Sequence, residues 1–234
     1  MTRIGLGVRL PHRHGRGTGF QPTKLAGLLG WWRADLGTTV ATGVSAWADQ
    51  SGNGFAMTQG TGSSQPTLVA AHAALNNQAA LSFDLTDSFA VDLDSVTAKD
   101  YTVFFVIDPT SGTGRYDIYD ATGDDRLVLS HRISGANNPG YYNGLWRDSL
   151  VAASADAQAL SFVLDSATGG DVYVDGVQIG ATLSFASALT ISVAILPKTR
   201  PDTMVIAEVI FYSRVLSATE RGEVDAYLAA RYGL

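Results

Sequence analysis

The pattern of polar and apolar positions changes character at Pro22. Beyond it, short apolar runs alternate with clusters of Gly, Asp, Ser and Asn. The runs "YTVFFVID" (101–108), "RYDIYDA" (115–121), "RLVLSHR" (126–132) and "ALSFVLD" (159–165) are rich in β-branched, aromatic and leucine residues. Bounded as they are by turn formers, they predict strands. "VYVDGVQI" (172–179) predicts a hairpin, because Asp175-Gly176 sits between alternating apolar positions and such a two-residue turn needs φ > 0 at both residues. "LTISVAIL" (189–196) and "MVIAEVIFY" (204–212) predict two more strands. In residues 81–93, Leu81, Phe83 and Leu85 alternate with polar residues, as do Phe89, Val91 and Leu93, which predicts strand, turn and strand.

Only the end of the chain has a helical period. Ser217 and Glu220 have the spacing of a capping box, Val224, Tyr227, Leu228 and Arg231 follow at three- and four-residue intervals, and Gly233 is placed to end the helix. No repeat of 20–50 residues stands out. These elements predict an all-β fold: two antiparallel sheets packed as a sandwich of the jelly-roll type, with a short C-terminal α-helix and an extended N-terminal arm. Residues 25–234 form the expected sandwich domain and residues 1–24 the arm.

Composition agrees. A chain of 234 residues with 46% apolar content can bury a single large core. Without cysteine, disulfides and thiolate metal sites are excluded. "LAGLLGWW" (25–32) is the longest early apolar stretch, well short of the ~20 residues that span a membrane. Pro11, His12, Arg13 and His14 interrupt any apolar core of a secretory signal, so the expectation is a soluble protein made in the cytoplasm.

Charge is unevenly distributed. Residues 1–24 hold five of the 16 Lys and Arg (Arg3, Arg9, Arg13, Arg16 and Lys24) and none of the 22 Asp and Glu. The remaining residues therefore carry 11 cations against 22 acids. Such asymmetry marks an interaction tail. Nucleic acid is a poor partner, because the acidic body opposes it and no aromatic interleaves the cations. A membrane surface is another, because Pro11 and the glycines forbid an amphipathic helix. An inert terminus and a docking arm stay open. In the second case the arginines pair with carboxylates of a partner, and "IGLGVRL" can add as a strand to another sheet.

Three stretches carry a resemblance: "LAGLLGWWRADLG" (25–37) with "VSAWADQSGNGFAMTQG" (44–60), "SSQPTLV" (63–69) with "LNNQAALSFDLTDSFAVDL" (75–93), and "VYVDGVQIG" (172–180) with "IAEVIFYSRVLSATERGEVDAYLAARYGL" (206–234). Together they resemble the concanavalin A-like lectin/glucanase family in its laminin-G-like form, found in many bacterial and phage proteins. Leu85 and Ser88 stand where that family usually has Gly and a second Asp. One fold hosts many sites, so the resemblance implies architecture more firmly than activity.

The family's glucanases need carboxylates in an E-x-D-x-E or E-x-D-x-x-E string on one strand, and no such string occurs. Asp92 and Asp94 share a strand face but lack a third acid. There is no G-x-S-x-G, and His72 and His131 show no partners in sequence. The chain reads as a non-enzyme without a cofactor. Calcium is the one ion to consider, with Asp124 and Asp125, or Asp49 and Asn53, as candidate oxygen donors; turn formation explains the same residues. His12 and His14 form a lone H-x-H.

A glycan site needs aromatic faces beside amides and carboxylates. "SGANNPGYYNGLWRD" (134–148) concentrates them: Asn138, Tyr141, Tyr142, Asn143, Trp146 and Arg147. The same stretch is equally a hairpin around Asn143-Gly144 with one aromatic face turned to the core. The reading as a whole is a non-enzymatic phage virion or decoration protein. It is homo-oligomeric, held to other virion proteins through the arm, with host surface glycans as the candidate ligand. The alternative is a bacterial carbohydrate-binding module outside any virion.

Overall fold

The structure, a computed structural model, describes residues 19–98, 100–109, 116–122, 127–132, 138–142, 144–184, 189–197 and 203–234. The arm arginines Arg3, Arg9, Arg13 and Arg16, and also Asp124, Asp125 and Asn143, lie outside the described residues.

In chain order the strands are β1 (Leu28–Arg33), β2 (Thr38–Val40), β3 (Val44–Trp47), β4 (Met57–Thr58), β5 (Thr67–His72), β6 (Gln78–Phe83), β7 (Phe89–Ala98), β8 (Tyr101–Pro109), β9 (Tyr116–Thr122), β10 (Leu127–Arg132), β11 (Gly140–Tyr142), β12 (Trp146–Asp148), β13 (Gln158–Asp165), β14 (Gly169–Val174), β15 (Val177–Leu183), β16 (Leu189–Leu196) and β17 (Met204–Tyr212); helix α1 (Ala218–Tyr232) closes the fold. All pairings are antiparallel. One sheet runs β15-β14-β13-β8-β17-β6-β5, with β1 also on β17; the other runs β12-β11-β10-β9-β16-β7-β4-β3-β2. The predicted two-sheet antiparallel sandwich with a C-terminal helix is the observed one.

Adjacent apolar residues explain the layering. Successive side chains of a strand point to opposite faces, so the doublets Trp31-Trp32, Phe104-Phe105 and Ile210-Phe211 can all be buried only if the sheet is covered on both sides. It is. Trp32, Phe105 and Phe211 join Trp47, Phe83, Phe89 and Phe162 between the sheets, while Trp31, Phe104 and Ile210 join Val224, Leu228 and Tyr232 of α1 on the outer face. Each large apolar side chain buried this way contributes about 1.5–3 kcal/mol, which is what holds a single helix on a sheet.

Local signals set the ends of these elements. The Ser217 hydroxyl accepts from the Glu220 amide while the Glu220 carboxylate accepts from the Ser217 amide, and Gly233 ends α1 at φ 76°. Asp175 and Gly176 take φ of 49° and 76° at the β14–β15 turn. In "DQSGNG" the Asp49 carboxylate accepts from the amides of Trp31, Ser51, Gly54 and Phe55, at 2.8–3.2 Å, and Asn53 donates to the carbonyls of Leu28 and Leu29. Asp49 and Asn53 are therefore turn formers that pin β1, and the candidate calcium role for them is set aside. Leu85 departs from expectation as well. β6 stops at Phe83, the amide of Asp84 donates to Asp87 and that of Thr86 to Asp84, and this turn leaves Leu85 exposed.

Candidate functional site

The hairpin β11–β12 forms one end of the nine-stranded sheet, in the register Gly140 to Asp148, Tyr141 to Arg147 and Tyr142 to Trp146. Strand period assigns 140, 142, 146 and 148 to one face and 141 and 147 to the other. This alternation divides the sequence-predicted residues into two groups.

Tyr141 and Arg147 are anchors. Tyr141 is fully buried among the side chains between the sheets, and its hydroxyl donates to the carbonyls of Leu183 and Ser184 at 3.3 and 3.2 Å. Burial pushes its phenol up. Its ring fills the notch opposite Gly170, where any Cβ would overlap it. The Arg147 Nε donates to the Ser184 carbonyl at 3.0 Å. Both side chains thus fasten the hairpin to the end of β15 in the opposing sheet. Tyr141 offers no surface to a ligand, and its expected glycan contact is corrected to a structural one, for the ordinary reason that every second residue of a packed strand points inward.

Tyr142 and Trp146 face the other way. They are directly opposed across the hairpin and half-buried, with ring centroids 5.2 Å apart and planes inclined by 55°. Tyr142 lies beside the buried Val128 of β10. On the same face Asp148 receives the Asn138 amide at 2.8 Å and the Leu150 amide at 2.7 Å through one oxygen, Oδ1. That oxygen holds the Asn138 side chain and a loop in which Leu150, at φ 59°, is 84% exposed. Two partly exposed rings beside an oriented amide and a carboxylate match what a sugar requires: C–H surface against rings, and hydroxyls against groups that donate or accept.

The histidines and the acid weighed for catalysis lie apart from the hairpin pair, in separate settings. Burial and the neighbouring Arg132 cation push the His131 imidazole down to about 3, so it is neutral at physiological pH. His72, partnerless in sequence, meets Asp108 of β8 at 2.6 Å and is half-buried. Asp92 is exposed on β7. No group of three or more His, Asp or Glu that could hold a metal ion occurs among the described residues.

Sequence reasoning passes over one carboxylate. Glu208 interrupts the apolar run of β17 and is 1% exposed. Its Oε1 accepts from Trp31 Nε1 at 2.6 Å and the Tyr227 hydroxyl at 2.9 Å, and its Oε2 from the Tyr232 hydroxyl at 2.7 Å. Burial pushes this carboxyl up, and the three donors pull against it. A charge inside a strand otherwise buried from end to end is the signal that finds it, although the partners come from a strand and a helix distant in sequence. Glu208 ties β1 and α1 to the sheet, and it is closed to solvent.

No family model and no curated protein matches the sequence. Solved structures do match the fold. The binding domain of Paraclostridial Mosquitocidal Protein 1 superposes with a TM-score of 0.65 at 14% identity, over 88% of this chain and 52% of that one. Domain 4 of AbnA, a GH43 extracellular arabinanase from Geobacillus stearothermophilus, in complex with arabinotriose, gives 0.62 at 16% identity, over 85% of this chain and 98% of that one. Trypanosoma rangeli sialidase in complex with sialic acid gives 0.59 at 15% identity, over 88% of this chain and 33% of that one. The chain thus spans about half of the mosquitocidal binding domain and a third of the sialidase. At such identities the likeness is one of fold, a two-sheet antiparallel β-sandwich.

Proposed function

We propose that this chain is a non-catalytic glycan-binding domain and that the outward face of the β11–β12 hairpin is its sugar-contacting edge. The observation that carries the reading is the opposed Tyr142–Trp146 pair, kept partly exposed while its neighbour Tyr141 is fully buried. Large aromatic side chains contribute most to stability when buried, so a pair held at a sheet edge beside an oriented amide is better suited to contact than to packing. Two fold neighbours support it: one is the binding domain of a mosquitocidal protein, and the other is a domain in complex with arabinotriose. The test is calorimetric titration of the full chain with host-cell and plant polysaccharides. Saturable binding lost in Tyr142→Ala or Trp146→Ala supports the site; binding that both variants retain removes it.

For its setting, we propose a phage virion, with the cationic residues 1–24 attaching the domain to other virion proteins and the sandwich displayed outward, in more than one copy. The support is the charge asymmetry and the arm's lack of acids. Incorporation into particles of a chain lacking 1–24, at the level of the full chain, would sink it. A second reading is favoured by the arabinanase domain, almost all of which this chain covers: a bacterial carbohydrate-binding module that works beside a catalytic domain. Copurification with a hydrolase rather than with particles would decide for that reading.

A further inference from the structure

A groove of about 870 Å³ opens between residues 19–24, the turn before β6 and helix α1, away from the hairpin and on the side where α1 covers the eight-stranded sheet. Its wall is aromatic: the rings of Phe20 and Tyr227 have centroids 6.0 Å apart and planes tilted by 52°. Gln21, Asn76 and Gln78 bring three amides to the rim, while Ala226 and Ala230 present nothing larger than a methyl, which leaves space along the helix. Charge in the groove is balanced. Arg231 is bound to Asp35 at 2.7 Å, and Lys24 and Glu223 are opposite in sign. A phosphate or carboxylate has no concentrated positive field to select it here. A ligand rich in hydroxyls does find a match, because amides both donate and accept as hydroxyls do, and rings accept the C–H face of a pyranose or furanose. The size lies within the range of ligand pockets, and the open form admits a short oligosaccharide.

We propose that this groove is a second saccharide site, taking a short neutral oligosaccharide against Phe20 and Tyr227. The proposal rests on the reading of the chain as a glycan-binding domain, but it uses different residues from the hairpin and can fail separately. The fold also supplies a reporter. The Tyr227 hydroxyl and the Trp31 indole N–H share Glu208 Oε1, so a ligand that presses on Tyr227 disturbs the environment of the Trp31 indole. The Trp146 indole reports the hairpin.

The experiment is nuclear magnetic resonance of the full, ¹⁵N-labelled chain. Its four tryptophan indole signals are assigned by Trp→Phe variants, and the chain is titrated with arabinotriose, cellotriose, mannotriose and a proline-rich decapeptide. The expected result is a saturable shift of the Trp31 signal with at least one trisaccharide. It weakens about fivefold or more in Phe20→Ala and in Gln78→Ala, the size of one ring or amide contact, while any Trp146 shift is unchanged. A Trp146 shift with a silent Trp31 overturns the groove and leaves the hairpin standing. Silence of both overturns the groove and the glycan reading together. A Trp31 shift that both groove variants retain places the ligand elsewhere. A shift with the decapeptide and with none of the sugars makes the groove a peptide site. Either of these last two results also overturns the proposal.

Discussion

Two aromatic clusters of the same residue types are treated in opposite ways by this fold. Around Glu208, Trp31, Tyr227 and Tyr232 each find an acceptor on one carboxylate at the interface of sheet and helix. On the β11–β12 hairpin, Tyr142 and Trp146 meet at a tilt at the end of a sheet, partly in water. Burying the polar ends of Trp and Tyr is costly unless they find partners, and the first cluster supplies one to each, so it acts on stability. The second gives up part of its burial and retains surface, so it is available for contact. The lesson is that aromatic content alone did not separate the two clusters; the degree of burial of each ring did.

The largest effect should come from breaking the buried cluster. Glu208→Ala leaves an indole N–H and a phenol hydroxyl buried without an acceptor, together with a cavity, and is expected to cost about 3–5 kcal/mol. Urea denaturation measures this, and a loss below about 1 kcal/mol would mean that the network is not what holds α1. Gly170→Ala comes next. Its methyl group collides with the Tyr141 ring, and overpacking of this kind costs about 1–3 kcal/mol. Because Tyr141 anchors the hairpin, this variant should also shift the Trp146 fluorescence, whereas Glu208→Ala should not.

A third variant should stabilise. Asp225 of α1 has Oδ1 buried without a hydrogen-bond partner, in a small cavity of about 50 Å³ that Asp175 also lines. Burial raises its carboxyl from 3.8 to about 6, against the pull of Arg221 and with the push of Asp175. A raised value in the folded state means that the group's contribution is fully present below its unfolded value and is lost as pH rises through about 6. Asp225→Asn should therefore match the parent near pH 4 and exceed its stability at pH 8, by about 1–2 kcal/mol after allowance for partial solvent exposure. Equal stability at both pH values would contradict the assignment. The smallest effect on stability is expected for Trp146→Ala, at about 1 kcal/mol or less, since the ring is already partly in water. A melting temperature within a few degrees of the parent is the check.

What was legible in the sequence was local. Asp175-Gly176, the Ser217–Glu220 box and the "DQSGNG" turn each formed as read from residues a few positions apart, whereas the bonds that Asp49 and Asn53 make to β1 span 18 to 25 residues. The hairpin was legible for the same reason, through alternation on either side of residues 143–144. Leu85 misled because alternation continued one step past the point where Asp84 and Asp87 turn the chain. Partners remote in sequence could not be read. Trp31 lies 177 residues from Glu208, and Asp108 lies 36 from His72. Nor does any pattern around Tyr141 reveal Gly170, whose missing side chain makes room for its ring. The three short strands between residues 38 and 58 hold too few residues to display a period.

The most direct test of the central claim is one titration performed twice. Polysaccharide is titrated calorimetrically into the full chain and into Trp146→Ala, with the melting temperature of each recorded on the same preparation. Affinity reduced at least tenfold, with melting nearly unchanged, is the predicted result and amounts to about 1.4 kcal/mol of contact energy at the hairpin. Equal affinity in the two proteins, or a loss that tracks a large fall in melting temperature, would contradict the assignment of the glycan edge to Tyr142 and Trp146.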